Sequence, residues 1–181
     1  MTSVARYHLF DTPIGICAIA WSDASVCGVS LPELTPDATR TRIIRRHPGA
    51  VESPPNESIA QAIEAVVLLL TGARPDLANI VLDESGIPEF NRRVYAIART
   101  IPVGQTLTYG DIARQLGDLL LSRQVGQALG RNPIPIIVPC HRVLGANGRM
   151  VGFSAPGGTD TKRRMLLIER ALPDEPLDLF E

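Results

Sequence analysis

The segment TYGDIARQLGDLLLSRQVGQALGRNP, residues 108–133, sets the architecture expected of this chain. Thr108-Tyr109-Gly110-Asp111 is a capping-box pattern, with an acid three residues after a threonine. It predicts a short helix that runs through Leu116 and stops at Gly117. A turn follows. A second short helix is expected from about Ser122 to Arg131, halted by Asn132-Pro133. Two short helices joined by a tight turn predict a helix-turn-helix, although many helical hairpins never meet DNA.

Charge sharpens the question. The 181-residue chain carries a net charge of −1, but unevenly. Residues 1–85 are net −4, residues 86–172 are net +7, and residues 173–181 are net −4. The helical pair lies inside the basic stretch. A polyanion, first of all nucleic acid, is the partner such a stretch suits; a solvated basic face is the alternative.

Upstream the pattern is β-rich. Tyr7 to Asp11, Gly15 to Trp21 and Val26 to Leu31 are short apolar runs separated by Thr12-Pro13 and by Ser22-Asp23-Ala24-Ser25. They predict a three-stranded meander. Pro36 to Arg46 reads as a short helix, and His47 to Asn56, with Pro48, Pro54 and Pro55, as a loop. Ile59, Ala62, Ile63, Val66, Val67 and Leu70 keep helical spacing up to Gly72. Ile80 to Leu82 is a candidate strand. A boundary is expected at Asp83-Glu84-Ser85-Gly86. Beyond it Phe90, Val94, Ile97, Ala98 and Ile101 share one helical face, Ile134 to Val138 is a buried-strand candidate, and Thr161 to Leu172 is a last helix ended by Pro173.

Several classes are excluded. The apolar fraction of 45% suits a packed core rather than a disordered chain. Runs such as Val66 to Leu70 are too short to cross a bilayer, and Met1 to Phe10 lacks the apolar stretch of a signal peptide. A cytoplasmic protein without a membrane anchor is expected. Three cysteines, Cys17, Cys27 and Cys140, give no disulfide framework. Cys17 and Cys27 with His8, His47 and His141 fit no zinc spacing, so no metal is expected and the first two read as small buried residues.

Cys140 is different. In Val138-Pro139-Cys140-His141-Arg142-Val143 a thiol follows an apolar run, with an imidazole and a guanidinium next in line. Thiolate is the nucleophilic form, basic neighbours favour it, and an imidazole can take its proton directly or through water. Neighbours on a strand point to opposite faces. Cys140 and His141 therefore cooperate only where the chain turns or a water bridges them. A buried cysteine at a strand end is the equal alternative on chemistry alone.

Val138 to Leu144 resembles the active-site signature of the O6-alkylguanine-DNA alkyltransferases, the methylated-DNA–protein-cysteine methyltransferases. Thr108-Tyr109, Arg123, Val125-Gly126, Asn132-Pro133, Gly148, Gly152-Phe153-Ser154, Gly157-Gly158, Lys162 and Leu166-Leu167-x-Glu169 follow in the family's order. The match runs from about Pro88 to Glu169; over residues 1–85 it rests on layout. The resemblance implies an α+β protein. An N-terminal RNase H-like α/β domain with a small antiparallel sheet would cover residues 1–84. A mostly helical winged-helix or helix-turn-helix domain would cover 85–173, and an acidic tail 174–181.

It also implies roles. Cys140 is similar to the acceptor of an alkyl group from O6 of guanine and, in many members, O4 of thymine. His141 resembles the group that deprotonates the thiol through a water, and Glu169 the carboxylate that orients it. Asn132 resembles a hinge between recognition helix and active-site segment. Arg123 is similar to the finger that fills the base stack, and Tyr109 to the residue that rotates the nucleotide and contacts the extruded base. Thr108, Gly126 and Arg142 are expected at the DNA minor groove. The carbonyls of Cys140 and Val143 would read the guanine edge, with Phe153 and Ser154 lining the pocket. The resemblance implies no cofactor, a monomer, and double-stranded alkylated DNA as partner. A non-repairing lesion sensor, a helix-turn-helix regulator and a Cys-His hydrolase are the competing functions; sensors of that type lack the cysteine present here.

Leu119-Leu120-Leu121, Gln124 and Phe153 depart from the family pattern. The tail Pro176-Leu177-Asp178-Leu179-Phe180 resembles a bacterial sliding-clamp peptide with its first glutamine replaced by proline. Clamp binding through Leu177, Leu179 and Phe180 competes with their packing on the chain's own domain.

Overall fold

In the computed structural model, which describes residues 4–172, the expected meander forms: β1 (Arg6–Thr12), β2 (Gly15–Ser22) and β3 (Ser25–Ser30) pair antiparallel. The tail that resembles a clamp peptide lies outside the described residues. Strand β2 has Cys17 through Trp21 all buried, and the two-residue period of a strand explains how. Cys17, Ile19 and Trp21 face the main core, while Ala18 and Ala20 face Tyr7 and Ile43 on the other side.

Ile43 belongs to α1 (Pro36–Arg46). Thr35 caps this helix by accepting from the Ala38 N–H, and Pro36 stands in its first turn, where no intrahelical donor is needed. The following stretch, expected to be loop throughout, contains β4 (Val51–Glu52), parallel to β1. The sheet order is therefore β3-β2-β1-β4. Two residues next to Pro54 and Pro55 are too short to show a period, so no sequence signal marks this strand. Helix α2 (Glu57–Leu70), capped by Asn56, buries Ile59, Ala62, Val66, Leu69 and Leu70 in the main core.

Ile80 to Leu82 forms no strand. A single bridge joins Val26 to Leu82. Asp83 then accepts from the Ser85 N–H and Gly86 takes a positive φ of 79°, which turns the chain away from the sheet.

Helix α3 (Glu89–Arg99) follows, then β5 (Leu107–Thr108), α4 (Tyr109–Gln115), a 3-10 turn at Leu119–Leu121, and α5 (Ser122–Gly130). Both halves of the capping box form: Thr108 Oγ1 accepts from the Asp111 N–H at 3.1 Å, and Asp111 Oδ2 accepts from the Thr108 N–H at 2.8 Å. Leu121 packs on the core, whereas Leu119 and Leu120 are exposed.

Ile134 to Val138 is buried as expected but is not a strand. The Val138 N–H donates to the Ile134 carbonyl at 2.9 Å, closing a turn in which Ile136 adopts a φ of +75°. A β-branched residue in that region costs about 1–3 kcal/mol, here offset by full burial of its side chain. Asn132 spans the turn, donating to the Val138 carbonyl and accepting from the Ile134 N–H, both at 2.9 Å.

Residues Cys140–Arg142 make a 3-10 turn that leads into β6 (Val143–Leu144), parallel to β5. The last helix, α6 (Gly158–Ile168), starts and ends earlier than expected. Arg170, at φ +57°, stops it before Pro173, and the Ala171 N–H returns to the Leu166 carbonyl. Glu169 is thereby turned back into the protein. One buried cluster runs through both halves, and the Val29 N–H donates across to the Pro133 carbonyl at 3.0 Å.

Candidate active site

Three features hold Cys140 in its place. The β5–β6 pair sets Leu107 opposite Val143, which brings the start of α4, and with it Tyr109, beside the cysteine turn. Asn132 fixes the segment leading in. The 3-10 turn then swings His141 inward rather than to the opposite face of a strand. A regular strand would have separated the two side chains; the chain turns here, as cooperation between them requires.

Behind the thiol lies a fully buried polar relay. His141 Nε2 is 2.7 Å from Glu169 Oε1. Arg142 donates from Nε to Glu169 Oε2 at 2.8 Å, from Nη2 to Oε1 at 3.0 Å, and from Nη1 to the Ile101 carbonyl at 2.7 Å. The Glu169 carboxyl is held down at about 2 by His141 and Arg142 acting against its burial. It is therefore ionised, and its partner Nε2 carries the imidazole proton. Nδ1, buried and without a protein partner, is left as the basic nitrogen. Burial lowers the His141 pKa, so the ring is neutral and ready to accept.

Burial also raises the Cys140 pKa, opposed by Asn132, by the charge of Lys162 and by the N–H groups of Cys140 and His141. The resting group is a thiol. Among the described residues no direct hydrogen bond joins it to the imidazole. Cys17 and Cys27 have no such support: burial pushes them to about 12 and about 11. Cys27 lies against His47 Nδ1 at 3.7 Å, and no group of metal-ligating side chains forms among the described residues.

In front of the thiol opens a cavity of about 300 Å³. Tyr109, Cys140, Phe153 and Ser154 line it, with Gly126, Gly130 and Gly152 giving room. A Cβ on Gly126 would sit 3.8 Å from the Tyr109 ring, so the helix passes close behind that ring. The Tyr109 hydroxyl, its pKa raised by burial and by Cys140, is protonated and able to donate.

The expected residues do not all converge. Tyr109, Gly126, Cys140, Phe153 and Ser154 meet at the pocket, with His141, Glu169 and Asn132 supporting it. Arg123, in the first turn of α5, is exposed and has no protein partner among the described residues. Arg142 is corrected: its guanidinium is buried against Glu169 and Ile101, so it cannot reach DNA. Thr108 is half-buried at the start of α4, where its hydroxyl caps the helix and donates to Asp111 Oδ2 at 2.8 Å. The Val143 side chain packs in the core, and its carbonyl accepts from Lys162 Nζ at 2.6 Å.

Lys162 is the residue to which the residue-by-residue reading gave no role. It is 1% exposed, ties the Val143 and Val151 carbonyls, and sits 5.9 Å from both the Tyr109 and Phe153 ring centroids. A sequence signal existed. Lys162, Met165, Leu166 and Glu169 follow i, i+3, i+4, i+7 spacing, so one charge occupies the buried stripe of α6 and a second continues it just past the helix end. Tyr95, whose hydroxyl donates to the Ala128 carbonyl at 2.7 Å, braces α3 on α5 and was likewise unmarked.

A thiol at a pocket floor, with an imidazole-carboxylate relay beside it and a pair of short helices flanking it, defines a protein with a cysteine nucleophile. Comparison with known proteins is specific. A sequence profile described as "6-O-methylguanine DNA methyltransferase, DNA binding domain" matches residues 89–171. A methylated-DNA–protein-cysteine methyltransferase of Mycolicibacterium paratuberculosis is 38% identical over 176 residues, covering 97% of this chain and 99% of that one. The crystal structure of Mycobacterium tuberculosis OGT in complex with DNA aligns with a TM-score of 0.76 at 32% identity, over 92% of this chain and 93% of that one. The Mycobacterium tuberculosis O6-methylguanine methyltransferase structure gives 0.74 at 33%, over 98% and 99%. The chain belongs to the methylated-DNA–protein-cysteine methyltransferase family.

Proposed function

We propose that this protein repairs DNA by moving an alkyl group from O6 of guanine in a duplex to Cys140, once per molecule, with O4-alkylthymine as a second substrate. The observation that carries this is the placement of the Cys140 thiol between the Tyr109–Phe153 pocket and the His141–Glu169–Arg142 relay.

O6 of a paired guanine is sheltered in the duplex, so the base must be extruded, at a cost of a few kcal/mol that is lowest for a damaged pair. Arg123 fills the gap from the minor groove while Tyr109 drives the rotation. The base enters the pocket against Phe153 and Ser154, with the carbonyls of Cys140 and Val143 on its amino edge. The thiol proton passes through a water to Nδ1 of His141, and Glu169 stabilises the imidazolium that results. The sulfur attacks the alkyl carbon and the carbon–O6 bond breaks, leaving its electron pair on guanine. Tyr109 supplies a proton near N3 and regains one, through water, from the His141 imidazolium. On balance the thiol proton ends on guanine and the alkyl group ends as a thioether. No redox change or cofactor enters that balance, and hydrolysis does not restore the thiol.

One chain supplies every group named, which suits a monomer. Residues 85–173 form the acceptor domain and residues 1–84 brace it; both work where the chromosome lies, in the cytoplasm. No helix among the described residues is long and apolar enough to cross a membrane. Clamp binding by the tail stays a separate proposal.

Transfer of label from a duplex with a labelled O6-methyl group tests the function. Protein-bound label should saturate at one methyl per chain; continued turnover would contradict it. Arg123→Ala should slow repair of duplex at least tenfold, while reaction with free O6-benzylguanine stays within twofold, because the finger acts only on a base stack. Equal losses on both substrates would remove the finger role.

A further inference from the structure

The acidic half of the chain carries a local cluster of the opposite sign. Helix α1 places Arg40, Arg42, Arg45 and Arg46 within seven residues. Arg40 pairs with Asp37 and Glu52, and Arg42 with Glu33 at 2.9 Å. Arg45 and Arg46 have no acidic partner among the described residues. Arg46 is exposed by area, yet surrounding protein depresses its pKa, and so do the charges of Arg42 and Arg45. Three guanidiniums thus repel one another at the end of α1 with one carboxylate between them.

This cluster adjoins the mouth of the reaction site. Arg42 Nη2 donates to the carbonyl of Ser154, a pocket residue, at 3.4 Å. A small cavity continues from Cys140 past Phe153 and Ser154 to Arg42 and Arg46. Unpaired arginines in a solvated helix usually project singly. Here Arg46 lines the cavity with Arg42 beside the Ser154 loop, and Arg45 is its neighbour in the last turn of α1. An anion there would relieve the repulsion and add charge-assisted hydrogen bonds.

We propose that Arg45 and Arg46 form a second phosphate-binding surface, which holds the backbone of the same duplex where it passes the Ser154 loop. This rests on the reading that the protein repairs duplex DNA. It adds that the acidic half takes part in holding the substrate, and that the interface is wider than the helix-turn-helix. The partner is the phosphodiester backbone, so the contact carries no base preference.

The test compares wild type, Arg45→Ala/Arg46→Ala and Arg45→Lys/Arg46→Lys. Affinity for an O6-methylguanine duplex is titrated over a range of salt, and reaction with free O6-benzylguanine is measured alongside. Each phosphate contact contributes about 0.9 to the slope of log affinity against log salt. The alanine variant should lose about 1–2 from the slope and bind roughly tenfold more weakly at low salt. Its free-base reaction should be unchanged, and the lysine variant should recover most of the slope. An unchanged slope in the alanine variant overturns the proposal. So does a loss of free-base reaction that lysine does not recover, which marks a structural role. A shallow slope in wild type itself, or no methyl transfer, would instead overturn the repair reading.

Discussion

Cys140→Ala should accept no alkyl group from an O6-methylguanine duplex, yet bind that duplex about as tightly as wild type. The side chain is small and buried at the pocket floor, and the fold around it is set by Asn132, the β5–β6 pair and the Glu169 relay rather than by the thiol. Chemistry and docking therefore separate in this variant. Loss of transfer should be complete, because the other sulfurs are unsuited: Cys17 is buried in the core of the N-terminal half, and Cys27 lies by His47 with its thiol pushed up to about 11. Binding by gel shift and transfer by label counting check the two halves of the expectation. Residual transfer in the variant would show that another nucleophile acts. Loss of binding would show that Cys140 has a structural role.

Glu169→Gln carries the largest expected effect on stability. The carboxylate is 4% exposed and accepts from Arg142 twice and from His141 once. Glutamine keeps the shape but leaves the Arg142 charge buried without its counter-charge. Breaking such a pair from one side costs about 3–5 kcal/mol. At this chain length that corresponds to a fall in Tm of roughly 10 °C. Transfer should slow as well, since the imidazole loses the group that fixes its tautomer.

The acid dependence follows from the sign of the shift. Glu169 is held at about 2 in the folded state, below its ordinary value of 4.5. Its contribution is fully present above the unfolded pKa and is lost as pH falls from there toward 2. Wild type should therefore weaken steeply through this range, and Glu169→Gln should follow a flatter curve. Parallel curves, or a variant within about 1 kcal/mol of wild type at neutral pH, would contradict the account of the relay.

Local signals in the chain were legible where local chemistry decides the structure. Thr108 with Asp111 marks the start of α4, and the cap forms as read; α1 begins at Pro36, as read, with Thr35 as its cap. The meander followed from turn residues between apolar runs. Where tertiary contacts decide, the sequence misled. Ile134 to Val138 has the apolar content of a strand, but burial on all sides and the brace from Asn132 fold it into a turn, with Ile136 at positive φ. Helix α6 runs past no proline; Arg170 ends it, because Glu169 must turn inward to meet His141 and Arg142.

The same division holds in the site. Cys140, His141 and Glu169 were marked by the family signature, and Tyr109, Phe153 and Ser154 by their order along the chain. Arg142 was misassigned because its charge and its place beside the nucleophile look the same whether it faces DNA or a buried acid. Only the inward turn of Glu169, 27 residues away, distinguishes the two. Lys162 was legible in principle as a charge on the apolar stripe of α6, yet its partners are main-chain carbonyls that no residue type announces.

The claim beneath all of this is that one sulfur among three becomes a thioether. Fragmentation mass spectrometry of the protein, after incubation with an O6-methylguanine duplex in excess, measures it most directly. The account predicts one added methyl group per chain, carried by Cys140, with Cys17 and Cys27 unmodified. An unmodified Cys140, or a methyl group on either of the other two cysteines, would contradict it.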